Sequence, residues 1–227
     1  MKGVPLLGLL IGGVAPLGER AIPSGIIKRC VAEPVDLKKT GFLGDAQGDI
    51  RRHGGPEKAV HHYPFEHYEK WAAEIGQNPI LSGPGAFGEN LSTTGIVEAD
   101  IAIGDVFRIG SAVLQVSQGR QPCWKLNERF SNKAMARAVQ RTGRIGWYYR
   151  VLQTGIVGPT DKLVLEDRQS PDWTVLRIWS TLYVDTMNRE ELEGIATLET
   201  LAQAWRDHAS RRISSGEVED WDSRLDG

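Results

Sequence analysis

The chain has 227 residues, with 27 Lys and Arg against 29 Asp and Glu, a formal net charge of −2 and two cysteines. That length buries a sizeable core as one domain plus a small appendage. The near-neutral balance leaves no footprint for nucleic acid and no polybasic membrane anchor. Two cysteines make neither a secreted disulfide framework nor a four-cysteine zinc or iron–sulfur site.

In chain order, Val4-Pro5-Leu6-Leu7-Gly8-Leu9-Leu10-Ile11 follows Lys2 and imitates a signal peptide, with Gly13-Val14-Ala15 as a small-x-small cleavage site. The apolar run is short, one basic residue precedes it and Pro16 follows the cut, so it reads as a buried first strand. No apolar run approaches the roughly 20 residues of a spanning helix. The expectation is a soluble cytoplasmic protein, and Gly25 to Val31 is its next strand candidate.

Gly41-Phe42-Leu43-Gly44-Asp45-Ala46-Gln47-Gly48-Asp49 is followed by Arg51-Arg52-His53-Gly54-Gly55-Pro56-Glu57-Lys58. Glycines let backbone amides form anion-holding nests, and Arg51, Arg52, His53 and Lys58 add positive side chains. On spacing alone, a phosphate site and an ordinary glycine-rich loop stand level. No Walker motif and no Gly-x-Gly-x-x-Gly follows a strand. His53, His61, His62 and His67 lie close together, but His-Glu-x-x-His is absent, and adjacent His61 and His62 on a strand face opposite ways. His53 alone stands out as a proton donor or phosphate ligand.

Pro64 to Ile75 reads as a helix, with Phe65, Tyr68, Ala72 and Ile75 on one stripe. Gly83 to Leu91 reads as a tight loop presenting Glu89 and Asn90; the Asn either meets a heterocycle or caps a turn. Ile101 to Ile103, Val106 to Ile109 and Ala112 to Val116 read as strands separated by Gly104-Asp105 and Gly110-Ser111 turns. Trp147 to Leu152 adds another. Such hairpins favour a closed or nearly closed barrel.

Between these strands lies Gly119-Arg120-Gln121-Pro122-Cys123-Trp124-Lys125-Leu126. Cys123 follows a proline, at the mouth of a helix expected over Trp124 to Phe130, with Arg120 nearby. A helix N-terminus and a guanidinium both favour thiolate, and thiolates are nucleophiles or soft-metal ligands. The flanking Arg, Gln and Lys argue against a dry core cysteine. A second helix is expected from Lys133 to Thr142, with caps at Ser131-Asn132 and Gly143.

Past Arg168 the chain reads as all-helical, with helices over Trp173 to Tyr183, from an Asn188 cap to Ile195, and over Leu198 to Ile213. Three short helices have too little core to stand alone and are expected to dock on the barrel or on a partner. The polar tail from Ser214 to Gly227 is expected to be loosely ordered. The expected division is residues 1–168, 169–213 and 214–227.

Gly-Asp-Ala-Gln, His-Gly-Gly-Pro-Glu-Lys-Ala-Val, Phe-Gly-Glu-Asn-Leu, Ile-Gly-Asp and Arg-Gln-Pro-Cys, in this order, resemble the MOSC domain (molybdenum cofactor sulfurase C-terminal). Trp173 to Ile213 is similar to the three-alpha domain of its stand-alone bacterial branch. The resemblance implies a mainly β (α+β) fold, a distorted β-barrel with short helices, whose pocket holds the molybdenum cofactor, a pterin dithiolene with a terminal phosphate. It places the family's cysteine on Cys123 as the molybdenum ligand. It makes Ser24, Lys28, Arg51, His53, Lys58, Asn90 and Arg120 holders of phosphate and pterin. Gly119 departs from relatives that carry proline before the arginine.

Related bacterial proteins reduce N-hydroxylated compounds, notably hydroxylaminopurine. The implied reaction takes N–OH to N–H with two electrons, two protons and release of water. It needs an acid, for which His53 and Asp45 are candidates beside Cys123. Electrons would come from an external flavoprotein or ferredoxin-type donor, with the protein a monomer or homodimer away from membrane and nucleic acid. Two other readings stay open: a non-catalytic carrier with sulfur or cofactor on Cys123, and a phosphate-ligand binding module with a structural Cys123.

Overall fold

A computed structural model describes residues 3–49 and 53–227. Seven strands close a barrel: β1 (Val4–Ile11), β2 (Val60–Pro64), β3 (Leu91–Thr93), β4 (Val106–Ile109), β5 (Ala112–Gly119), β6 (Trp147–Gln153) and β7 (Lys162–Asp167). Around the barrel they run β1-β7-β4-β5-β6-β2-β3, and β3 returns to β1. Every junction is antiparallel except β2 with β3. A parallel pair needs a crossover, and helix α1 (Glu66–Ile75) with the loop after it supplies one. Arg29–Cys30 extends the sheet on β1, pairing Cys30 with Leu10.

The helices that follow are α2 (Lys125–Phe130), α3 (Met135–Thr142), α4 (Val175–Tyr183), α5 (Arg189–Thr197), α6 (Gln203–Ser215) and α7 (Asp222–Leu225). Their ends follow local chemistry. Thr174 accepts from the Arg177 amide to start α4, Asn188 accepts from Glu191 to start α5, and left-handed Gly143 (φ 72°) ends α3. On α1 Tyr68 of the expected Phe65–Tyr68–Ala72–Ile75 stripe is buried and the other three pack half-buried against the core, while the fully buried face extends to His67 and Trp71. The reason is polar: His67 bonds buried Glu98 at 2.7 Å, and the Trp71 indole donates to the Tyr63 hydroxyl.

Strand β5 is buried along its whole length because the helical region covers its outer side. Ala202 N–H donates to Ser117 O at 2.9 Å, Trp205 packs over Gly119, and one apolar core runs from barrel to helices. The helices therefore dock on the barrel. A Cβ on Gly119 would press on Ile145 and Trp205, so its small size serves that contact.

Three expectations change. Ile101 to Ile103 is not a strand but a buried turn, where Asp105 accepts from the Ala102 amide and pairs with Arg168. Only Ala102 makes a bridge, to Thr174. Gly25 to Val31 is not one strand either: the chain pairs at Ile22–Ser24 and at Arg29–Cys30 and crosses the 46–48 loop between them. The tail is not loose. Leu225 is buried and the Arg224 guanidinium bonds Pro122 O and Gln140, and this apolar anchor and satisfied guanidinium outweigh the tail's polar composition. No described helix is long and apolar enough to cross a membrane.

Candidate functional site

The glycine-rich crossing builds the site's floor. A Cβ on Gly25 would collide with the Ala46 carbonyl, and one on Gly48 with Pro23 O, so two loops pass in direct backbone contact. Above them opens a cleft of about 80 Å³ lined by both loops, β2, β6 and the cysteine loop. A second lobe of about 390 Å³ adjoins it, and His53, Lys58, Cys123 and Tyr148 line both. Cys123 thus stands where the lobes meet.

The Cys123 Sγ lies 3.5 Å from His53 Nε2. Burial, then the charges of Lys125, Arg120 and Lys58, push His53 down to about 4, so the ring is neutral at pH 7. Its Nδ1 has no partner among the described residues. Burial likewise lowers Lys58, against the pull of Cys123. Arg120 is buried, with its N–H bonded to Gly146 O and its Nη1 left unpaired among the described residues.

Two lining side chains lay beyond the sequence reading. His61 on β2 turns opposite to His62, packs on the Tyr148 ring at 4.9 Å, and has no partner for its buried Nε2 among the described residues. Burial holds it neutral. Tyr148 on β6 keeps its proton, because burial raises its pKa, with Cys123 adding and Arg120 opposing. Strand alternation was the signal: a residue flanked by core-facing Trp147 and Tyr149 must face the other way. Lys125 also lines the cleft, its Nζ donating to Pro23 O.

The remaining expected residues divide. Ser24 lines the cleft with its hydroxyl accepting from the Ile26 amide. Lys28 lines it too, but its ammonium is paired with Asp45. Asp45 sits behind the wall as the hub of that pair, accepting also from the Gly12 amide and from Asn90. Its carboxylate is taken up by Lys28, Gly12 and Asn90, and Asp45 is not among the residues that line the cleft. Asn90 lines the cleft with every amide hydrogen spent, on Leu10 O and Asp45, while its oxygen takes the His61 amide. Glu89 is not presented: it is buried and clamps its own loop through Tyr68, Gly85 and Phe87. Arg51 lies outside the described residues.

The cleft therefore combines one thiol, buried cations and unpaired ring and guanidinium nitrogens. Unpaired buried donors are costly unless a ligand satisfies them. Arg120 and Lys125 suit phosphate, His61 and Tyr148 suit a flat polar ring, and Cys123 suits a soft metal.

The chain matches the MOSC domain model over residues 49–164 and the YiiM-like, 3-alpha helix domain model over 173–216. It is 38% identical to protein YiiM of Escherichia coli over 90% of this chain and 91% of that one. A crystal structure of that protein superposes with a TM-score of 0.81, covering 94% of this chain and 99% of the other. A Bacillus subtilis protein, YflK, is 43% identical over 82% of this chain and 83% of its own. A Gibberella moniliformis protein named Reductase is 43% identical over 69% of this chain, which is 28% of that longer protein.

Proposed function

This chain belongs to the MOSC domain family and ends in a YiiM-like 3-alpha helix domain, and on that premise we propose that it binds the molybdenum cofactor and reduces N-hydroxylated compounds such as hydroxylaminopurine. The observation carrying the reading is the single cleft that joins Cys123 to the unpaired Arg120 Nη1 and His61 Nε2. The relative named Reductase supports the reaction class. Overall, R–NHOH with two electrons and two protons gives R–NH2 and water.

Cys123 is the metal ligand, a soft thiolate matched to molybdenum. Arg120, Lys58 and Lys125 offset the phosphate charge, and His61 and Tyr148 take the polar edge of the pterin. Ser24 and the Gly25–Gly48 crossing form the wall against it. When bound, the cofactor supplies the two-electron exchange. His53 and Tyr148 stand at the junction where the N–OH group must react. Tyr148, which burial keeps protonated, would offer a hydrogen bond there. An anion bound beside His53 would favour its protonated form, the form in which the ring can give a proton. Two cysteines cannot hold an iron–sulfur cluster beside the metal ligand, so electrons arrive from an external flavoprotein or ferredoxin-type donor.

The test is turnover of 6-hydroxylaminopurine to adenine by protein from a cofactor-competent host, with dithionite-reduced viologen as donor. Parent protein turns over. Cys123→Ala loses at least about 100-fold, the upper end of what losing even an outer-shell partner costs. Equal turnover by parent and variant contradicts the reading.

A further inference from the structure

The tail expected to be loose ends against the cysteine loop. Arg224, on α7, donates from Nη1 to the Pro122 carbonyl, and its own carbonyl accepts from the Trp124 amide at 2.8 Å. Pro122 C=O and Trp124 N–H belong to the two peptide units on either side of Cys123. One residue therefore restrains both rotations of the Cys123 backbone. We propose that Arg224 is a positioning residue for Cys123, fixing where its sulfur stands between the two lobes of the cleft.

Arg224 is itself anchored. Its Nη2 donates to Gln140 Oε1 on α3 at 2.5 Å, and its guanidinium lies 5.8 Å over the Tyr183 ring. The Tyr183 hydroxyl accepts from Gln121 Nε2, two residues before the cysteine, at 2.8 Å. Next to Arg224, buried Leu225 pins the segment, and its carbonyl accepts from Asn127 Nδ2 on α2 at 2.8 Å. The Arg137 pairs with Asp222 and Asp226 are exposed and screened by water, so they contribute little. Ser223 and Arg224 also line the second lobe beside Cys123 and Tyr148. The clamp is thus a tertiary device: α3, α4 and α7 hold a loop of the barrel that its own short helix cannot hold. That Cys123 serves a metal rests on the function proposed above; its restraint by Arg224 does not.

The test uses full-length, cofactor-free protein in a Cys30→Ser background, where Cys123 is the sole thiol. The alkylation rate of Cys123 with iodoacetamide is read by intact mass. Arg224→Ala and Arg224→Gln are both made, so that one folded variant suffices. Each raises the rate by about fivefold or more, the factor expected when one hydrogen bond no longer holds a loop closed. Arg224→Lys, with one donor still able to reach Pro122 O, returns the rate toward the parent. Asp222→Asn, which loses only an exposed pair, stays within about twofold. Folded Ala and Gln variants that both alkylate at the parent rate overturn the proposal. Because the readout needs neither metal nor turnover, a protein that fails as a reductase still decides it, and a failed clamp leaves the reductase reading to its own assay.

Discussion

Lys28→Ala destabilises the folded chain by about 3–5 kcal/mol, the range for stranding one partner of a buried ion pair. The Lys28 and Asp45 side chains are 6% and 1% exposed. Burial draws the Lys28 pKa down while Asp45 draws it up, and the pair stays together because the carboxylate also collects the Gly12 amide at 2.9 Å and Asn90 Nδ2 at 3.0 Å. Removing the ammonium leaves a buried anion with two neutral donors. Asp45→Asn alone strands the ammonium, whereas the double variant strands neither, so the double costs less than the sum. Urea unfolding of the four proteins at pH 7 measures this. A Lys28→Ala cost below about 1 kcal/mol, the level of an exposed pair, would mean that the ammonium is free to serve a ligand.

Acid unfolds this protein through neutral buried histidine. Burial holds His62 at about 3, between the Tyr149 hydroxyl at 2.9 Å and Thr93 Oγ1 at 2.8 Å. Its unfolded value is about 6.5. Between those values the unfolded chain binds the extra proton and the folded chain does not, so stability rises with pH. The full contribution is present above pH 6.5 and is lost as pH falls toward 3, at up to about 1.4 kcal/mol per pH unit for this one ring. Neighbouring His61, also lowered by burial, adds to the slope. In urea titrations between pH 7 and 4, His62→Gln starts lower by about 1–2 kcal/mol, having lost a buried hydrogen bond. It then falls less steeply than the parent. Parallel curves would show that His62 is already protonated in the fold.

The barrel was legible where the chain alternates cleanly and turns on glycine, as from Val106 through Gly110-Ser111 to Val116. The Cys123 loop was legible because its flanks are polar and its position precedes a helix. Other features depended on distant partners. That Asp45 holds Lys28 behind the cleft wall depends on the approach of Gly12 and Asn90, dozens of residues away in each direction. His61 and Tyr148 belong to strands that read as core, and only their pairing, Tyr148 opposite His61 across β6 and β2, turns both into one wall. The tail misled for the same reason. Its composition is polar, and its order comes from Leu225 and Arg224 meeting helices α2 and α3.

The most direct measurement is the molybdenum and pterin content per chain of parent protein from a cofactor-competent host, with Cys123→Ala prepared in parallel. The predicted result is near-stoichiometric metal and pterin in the parent, with the metal lost from the variant. A parent that carries neither contradicts the account, and an equal load in both removes Cys123 as the ligand.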